Sequence, residues 1–291
     1  MIISRLSAKI TGFAFAAIFV AGFSIAIFPE TPAEMGTRMS AEQDSQPKFH
    51  KVKAEIDLKI YGSDGALKFT KKMIIAQYTK DLGAPNEIEY SISYFKEPAD
   101  DRGNAYLAYN YKDREDDKFV YLKGIRKAKK VAGASKKSPF FGSDFFNNDM
   151  AFPDLRECTY RHIGKQKVSF KGREFECDMV EFMPVSESMK SEIGYGKKIY
   201  YYRKADNRSY LTLKVDYYDE NLALFKVLTL KSFITGKNVK GETVFYTTGL
   251  EMKNVQTGSR TELFIKNVQV EGAANVSPEI FNVDNLDKKW W

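Results

Sequence analysis

Between Lys197 and Phe233 the chain reads KKIYYYRKADNRSYLTLKVDYYDENLALFKVLTLKSF. Runs of Tyr, Leu, Val, Phe and Thr broken by Ala205-Asp206-Asn207-Arg208 and Asp219-Glu220-Asn221 predict three antiparallel strands joined by tight turns. In the middle strand Leu211, Leu213, Val215 and Tyr217 alternate with Thr212, Lys214 and Asp216, a period of two that predicts one dry face. In the third strand Leu222, Leu224, Leu228 and Leu230 occupy one face, while Ala223, Phe225, Val227 and Phe233 occupy the other. A strand apolar on both faces needs a cover on both. That requirement limits the chain to a curled or layered sheet and makes the second face the first pointer to function.

Strands of similar character recur along the chain. Lys53–Tyr61, Leu67–Tyr78, Glu87–Phe95, Asn104–Tyr111 and Lys118–Lys123 precede the central three, as do Arg156–Val168 and Phe175–Met183. Thr243–Lys253 and Arg260–Val270 follow them. Turns rich in Gly, Asp, Asn and Pro separate these runs, the pattern of an all-β barrel or sandwich built from meanders. A chain of 291 residues accommodates one such domain with a sizeable core.

The N-terminus reads as an export signal. Arg5 and Lys9 precede an uncharged apolar run from Ile10 to Phe28, then Pro29. Residues 1–33 are a cleavable signal ending at Ala33, or an uncleaved anchor whose span, residues 10–28, tethers the protein to the inner membrane. Either way the folded part is expected in the periplasm. Residues 34–51 read as a linker or short helix, and 52–291 as the folded domain. The net charge of +7 suits anionic lipid or an acidic partner, and export argues against nucleic acid.

One segment differs from the strands. From Tyr121 to Leu155 it first carries Lys123, Arg126, Lys127, Lys129, Lys130, Lys136 and Lys137 without an acid among them. It then gathers Phe140, Phe141, Phe145, Phe146, Met150 and Phe152 among small and polar residues. Ser143 or Asp144 is the expected cap of one or two helical turns running to Met150. The aromatic part is a candidate lid for the sheet. Arg126, Lys127, Lys129 and Lys130 are either candidates for a headgroup or acidic partner or a solvated strand edge.

Catalytic and metal patterns are weak. Cys158 and His162 share a strand face and would serve a lipid-modifying enzyme only with an orienting group that the sequence does not show. Two histidines and two cysteines at these spacings match no metal site, and no cofactor motif occurs. A turn at Lys171-Gly172 sets Cys177 opposite Gln166, about eight residues from Cys158, too far for a disulfide unless the strand bends.

The order of several pieces resembles a known family. They are Tyr121-Leu122 with Arg126 and Lys129-Lys130-Val131, then Phe141-Gly142-Ser143-Asp144-Phe145 and Asp149. Tyr217-Tyr218-Asp219, Leu228-Thr229-Leu230, MKNVQTGSRT (252–261) and Phe281-Asn282-Val283-Asp284-Asn285-Leu286 complete the set. Together they resemble the outer-membrane lipoprotein-sorting family, relatives of the LolA and LolB carriers. Lys123 stands in place of the proline expected after Tyr-Leu.

The resemblance implies a half-open antiparallel β-barrel, LolA-like, with short helical lid elements and an apolar hollow for acyl chains. It implies a non-enzymatic periplasmic carrier or chaperone for an acylated lipoprotein or a lipid, working between an inner-membrane transporter and an outer-membrane acceptor. On this reading Phe140, Phe141, Phe145, Phe146 and Met150 form the lid. Leu211, Leu213, Val215 and Tyr217 line the hollow. The alternative is an accessory or structural subunit of an envelope complex whose interior is filled.

Overall fold

The computed structural model describes residues 29–150 and 155–291; of the expected signal or anchor at 1–33, residues 1–28 lie outside them. Thr31–Trp291 form one compact unit. A helix, α1 (Pro32–Asp44), precedes six strands: β1 (Lys51–Tyr61), β2 (Leu67–Lys80), β3 (Ile88–Glu97), β4 (Ala105–Tyr111), β5 (Asp117–Leu122) and β6 (Lys127–Lys130). After a long connection come β7 (Cys158–Phe170), β8 (Arg173–Pro184), a short helix α2 (Glu187–Ile193), and β9 (Lys197–Lys204). β10 (Tyr210–Tyr218), β11 (Leu224–Lys237), β12 (Thr243–Asn254) and β13 (Arg260–Val270) complete the strands.

All thirteen strands join one antiparallel sheet, ordered β6-β5-β4-β3-β2-β1-β13-β12-β11-β10-β9-β8-β7. The pairing of β1 with β13 brings the two meanders side by side, leaving β6 and β7 as edges. The sheet curls into a half-open barrel. Alternation sets its inside: Val52, Ala54, Ile56, Leu58 and Ile60 of β1 are all buried, with intermediate residues between them. The antiparallel order puts the β1–β2, β3–β4, β5–β6, β10–β11 and β12–β13 turns at one end, called the upper end below.

The central strands depart from the simple alternation that their sequence predicts. Thr212 pairs with Tyr202 and Lys214 with Tyr201, so Leu213 is an extra residue in a bulge. Below the bulge Leu211 and Leu213 join an outer-face cluster; above it Val215 and Tyr217 point into the main core. The four therefore do not share one face, a correction to the period-two reading.

The second apolar face is covered by the chain itself. A register shift between His162 and Gly164 bends the β7–β8 hairpin. Phe170 then stacks on Phe233 at 5.9 Å, and Val168, Cys177, Ile199, Leu211, Leu213 and Leu230 pack together there. Farther round the sheet, Ala274, Val276, Phe281 and Leu286 of the C-terminal segment cover Ile92, Ala105 and Leu107.

α1 occupies most of the stretch that reads as a linker. Thr31 and Glu34 form a capping box, which starts the helix. Gly36 permits close approach to the sheet edge, since a Cβ there would lie 2.6 Å from the backbone nitrogen of Arg161. Near the other end of α1, Tyr210 donates to Glu42 at 2.9 Å and Lys112 pairs with Asp44. The helix runs down the edge from the upper end. Among the described residues no helix is long and apolar enough to cross a membrane. Cys158 and Cys177 are not joined by a disulfide, and Cys177 lies opposite Gln166.

Candidate functional site

The connection from β6 to β7 crosses from one free edge of the sheet to the other, and its aromatic part enters the barrel. The expected helix from Ser143 or Asp144 does not form. Short 3-10 turns at Phe140–Gly142 and Asn147–Met150 take its place. Phe141 and Gly142 have φ of 46° and 78°, which breaks a right-handed helical path. Phe140 N–H donates to the Phe145 carbonyl at 2.7 Å, closing a tight loop around Ser143 and Asp144.

This flap presents its phenylalanines in several directions. Phe140 is fully buried, 6.0 Å from the Phe95 ring and edge-on to Tyr106 at 5.5 Å. Phe141 lies against Phe95 at 4.1 Å, and Phe146 stacks on Tyr195 at 5.1 Å. Phe145 and Met150 line a cavity beneath the flap.

Two aspartates pin the flap to the barrel. Asp144 accepts from Ser259 Oγ at 2.5 Å and Thr261 Oγ1 at 2.7 Å, while its own N–H donates to Thr261 Oγ1 at 2.9 Å. Asp149 Oδ2 accepts from the Phe146 N–H at 2.8 Å and the Tyr195 hydroxyl at 2.7 Å. Tyr195 also accepts from Lys226 Nζ at 3.3 Å, and that ammonium lies 3.2 Å from the centroid of the Phe146 ring. Burial, then Asp149, pushes the Tyr195 phenol well up, and burial pushes Lys226 down to about 8.

Hydrogen bonds to an ionised group contribute about 1.5–3 kcal/mol each. Asp144→Ala is therefore expected to cost about 2–3 kcal/mol and to speed amide exchange across 137–150 before the rest of the sheet. Equal protection of that segment in wild type and variant would show that Asp144 does not hold it.

The cavity has a volume of about 320 Å³, near the lower end of the roughly 300–1,000 Å³ typical of ligand sites. One wall is apolar, with Val52, Ile56, Ile75, Leu250, Leu263 and Ile265. Toward β2, β3 and β4 the lining turns polar, with Gln77, Ser91, Ser93 and Asn110. It extends to Gln43–Phe49 at the lower end, where Lys48 pairs with Glu87 and Glu89.

The other residues singled out in the sequence lie elsewhere. None of Leu211, Leu213, Val215 and Tyr217 lines this cavity, although Tyr217 touches Tyr195 at 4.9 Å. Arg126, Lys127, Lys129 and Lys130 form the exposed β5–β6 turn and edge strand β6, away from the cavity. Lys130 pairs with Asp117. His162 meets Asp178 at 2.9 Å, an orienting carboxylate the sequence did not reveal. Cys158 is four residues along the same strand, about 13 Å away.

Sequence reasoning missed Tyr195, Lys226, Ser259 and Thr261 as partners of the flap. A signal was present: the Phe-Gly-Ser-Asp-Phe element and the Gly-Ser-Arg-Thr end of MKNVQTGSRT are adjacent in space through Asp144.

A half-open antiparallel barrel with few helices is the LolA-like fold, and this chain has it. A family model described as "Uncharacterized protein" matches residues 87–288, and the chain belongs to that family. Among solved structures, it is similar to an outer membrane lipoprotein-sorting protein domain from Vibrio parahaemolyticus. Identity is 22% over 88% of this chain and 100% of that one, with a TM-score of 0.71. A DUF1329 family protein from Desulfovibrio piger is 24% identical over 88% of this chain and 99% of that one, with a TM-score of 0.72. A LolA superfamily protein from Nitrosomonas europaea is 15% identical over 87% and 99% of the two chains, with a TM-score of 0.56. None of the curated proteins matches the chain.

Proposed function

We propose that the protein is an exported periplasmic carrier, without chemistry of its own, that shelters an acyl chain of a lipoprotein or lipid between membranes. The observation that carries this reading is the cavity of about 320 Å³ bordered by a noncovalently held flap. Its apolar wall would take the chain, and the Gln77–Asn110 wall would face the polar end. An inner-membrane transporter and an outer-membrane acceptor are the partners that such traffic requires.

The energetics permit reversibility. Phe140 and Phe145 are the flap's two most buried rings, and exposing them costs about 3–6 kcal/mol. An acyl chain returns ~0.8 kcal/mol per methylene buried, so roughly four to eight methylenes offset the exposure of those two rings.

The burial of Phe140 favours one rival, a structural subunit with a filled interior. Native mass spectrometry after gentle extraction separates the two. The carrier reading expects a species heavier than the polypeptide by one acylated molecule. A protein that stays empty in every preparation, and takes up no added lipid, overturns it.

A further inference from the structure

The upper end carries exposed apolar side chains on several adjacent turns. Leu67 and Phe69 flank the β1–β2 turn and are 52% and 60% exposed. Val255 lies on the β12–β13 turn, and Leu222 and Leu224 flank the β10–β11 turn. These turns are neighbours: Gly258 lies beside Ser63, and Gln256 donates to Asp219 at 2.8 Å. At the same end Ile125 projects from the β5–β6 turn, 50% exposed. Around it are Lys123, Arg126 and Lys127, which have no ion-pair partner among the described residues. Isolated exposed apolar residues, such as Val239 at the lower end, are ordinary, but the gathering of most of them at one end is not.

We propose that this end docks on an anionic lipid bilayer, with the apolar turns entering the interface and the cationic β5–β6 turn meeting the headgroups. Two features favour a bilayer over a protein. The apolar groups sit on and beside separate turns, which a deformable surface accommodates more readily than a rigid one. The cations next to Ile125, without ion-pair partners among the described residues, match a negatively charged headgroup layer, where each adds to attraction. The flap pin between Asp144 and Thr261 adjoins this end, placing the surface next to the route that opening would create.

The inference is independent of what the cavity holds. Residues 31–291, which form one compact unit, are tested by flotation with vesicles of phosphatidylethanolamine and phosphatidylglycerol and with vesicles of phosphatidylcholine. The protein is expected to float with the anionic vesicles and to leave them as salt rises. Paired Leu67→Ser and Phe69→Ser should weaken that binding at least about tenfold. Paired Arg126→Gln and Lys127→Gln should weaken it about tenfold or more and flatten its salt dependence. Absence of flotation with anionic vesicles overturns the proposal and points to a protein as the occupant. Flotation unchanged in both variants overturns it as well. Acyl cargo in native mass spectra alongside absent flotation would leave the carrier reading standing while removing this one.

Discussion

Phe140→Ala is expected to lower stability by about 3–5 kcal/mol, the cost of emptying a fully enclosed aromatic site. The ring is held between Phe95 and Tyr106, both buried and both on neighbouring strands of the sheet. Strands paired along their length cannot move inward to fill the gap, so little of the lost contact is recovered. Phe141, partly exposed on the next position, makes a useful comparison: its truncation should cost clearly less than that of Phe140. Denaturant midpoints with matched slopes would measure both losses. A Phe140 cost below about 1 kcal/mol would show that the flap is a loose cover and not part of the core. Wild-type slopes would place the loss in the native state, while a reduced slope would mean that the flap has left the cooperative unit.

That expectation bears on how a carrier could work. The same ring that stabilises the empty protein must move if the cavity is to extend to the upper end. Asp144 and Asp149 make the remaining connections through hydrogen bonds to Thr261, Ser259 and Tyr195. Such bonds exchange readily with water once the flap lifts, because every group involved is polar and well solvated when exposed. The phenylalanines and the bonds to the two aspartates both resist opening, and a guest can replace only the first. On the proposed carrier reading, a guest with enough methylenes would replace the burial of the rings, tying the length of the cargo to the size of the lid.

Much of the strand layout was legible because it rests on local chemistry. The alternation of Val52, Ala54, Ile56, Leu58 and Ile60 fixes which side of β1 is dry. The Asn and Gly turns mark where hairpins reverse. The pairing of Cys177 with Gln166 followed from the Lys171-Gly172 turn alone. What failed was the assumption that two-residue alternation persists through a strand. The extra residue at Leu213 reverses the facing of Val215 and Tyr217 relative to Leu211, and no turn residue announces it.

The candidate site was legible only in parts. Aromatic residues with glycine and asparagine identified the flap, but not that Phe140 would be core and Phe145 a cavity wall. Positive φ at Phe141 is a tertiary outcome that intrinsic propensity does not predict. The apolar second face of β11 pointed to an empty hollow, yet Phe170 fills it from β7, a strand sixty residues earlier in the sequence and reached through a bulge. The actual cavity lies farther round the sheet. Lys226 carries no signal of its own in the sequence, because the groups that enclose it, Phe146 and Tyr195, come from two other parts of the chain.

Lys226→Met should stabilise the protein at pH 7 and remove a rise in stability that the wild type shows under mild alkali. Lys226 is only 2% exposed, and burial lowers its value from 10.5 to about 8. Between those values the unfolded chain retains a proton that the folded chain has released, so stability increases with pH. Below about 8 the folded state bears the full cost of the buried ammonium. That cost is on the order of 3 kcal/mol, reduced by up to about 2 kcal/mol from the ammonium against the Phe146 ring. A methionine of similar length keeps the ring contact and carries no charge, so a net gain of about 1–2 kcal/mol is expected at neutral pH. Urea titrations of both proteins from pH 7 to 9.5 share the contributions of Cys177, Lys118 and the tyrosines, so the difference between the two curves isolates the lysine. The wild type should gain stability relative to the variant across the upper part of that range. A destabilised variant whose curve runs parallel to that of the wild type would mean that the ammonium, through Phe146 and Tyr195, contributes more to closing the flap than its burial removes.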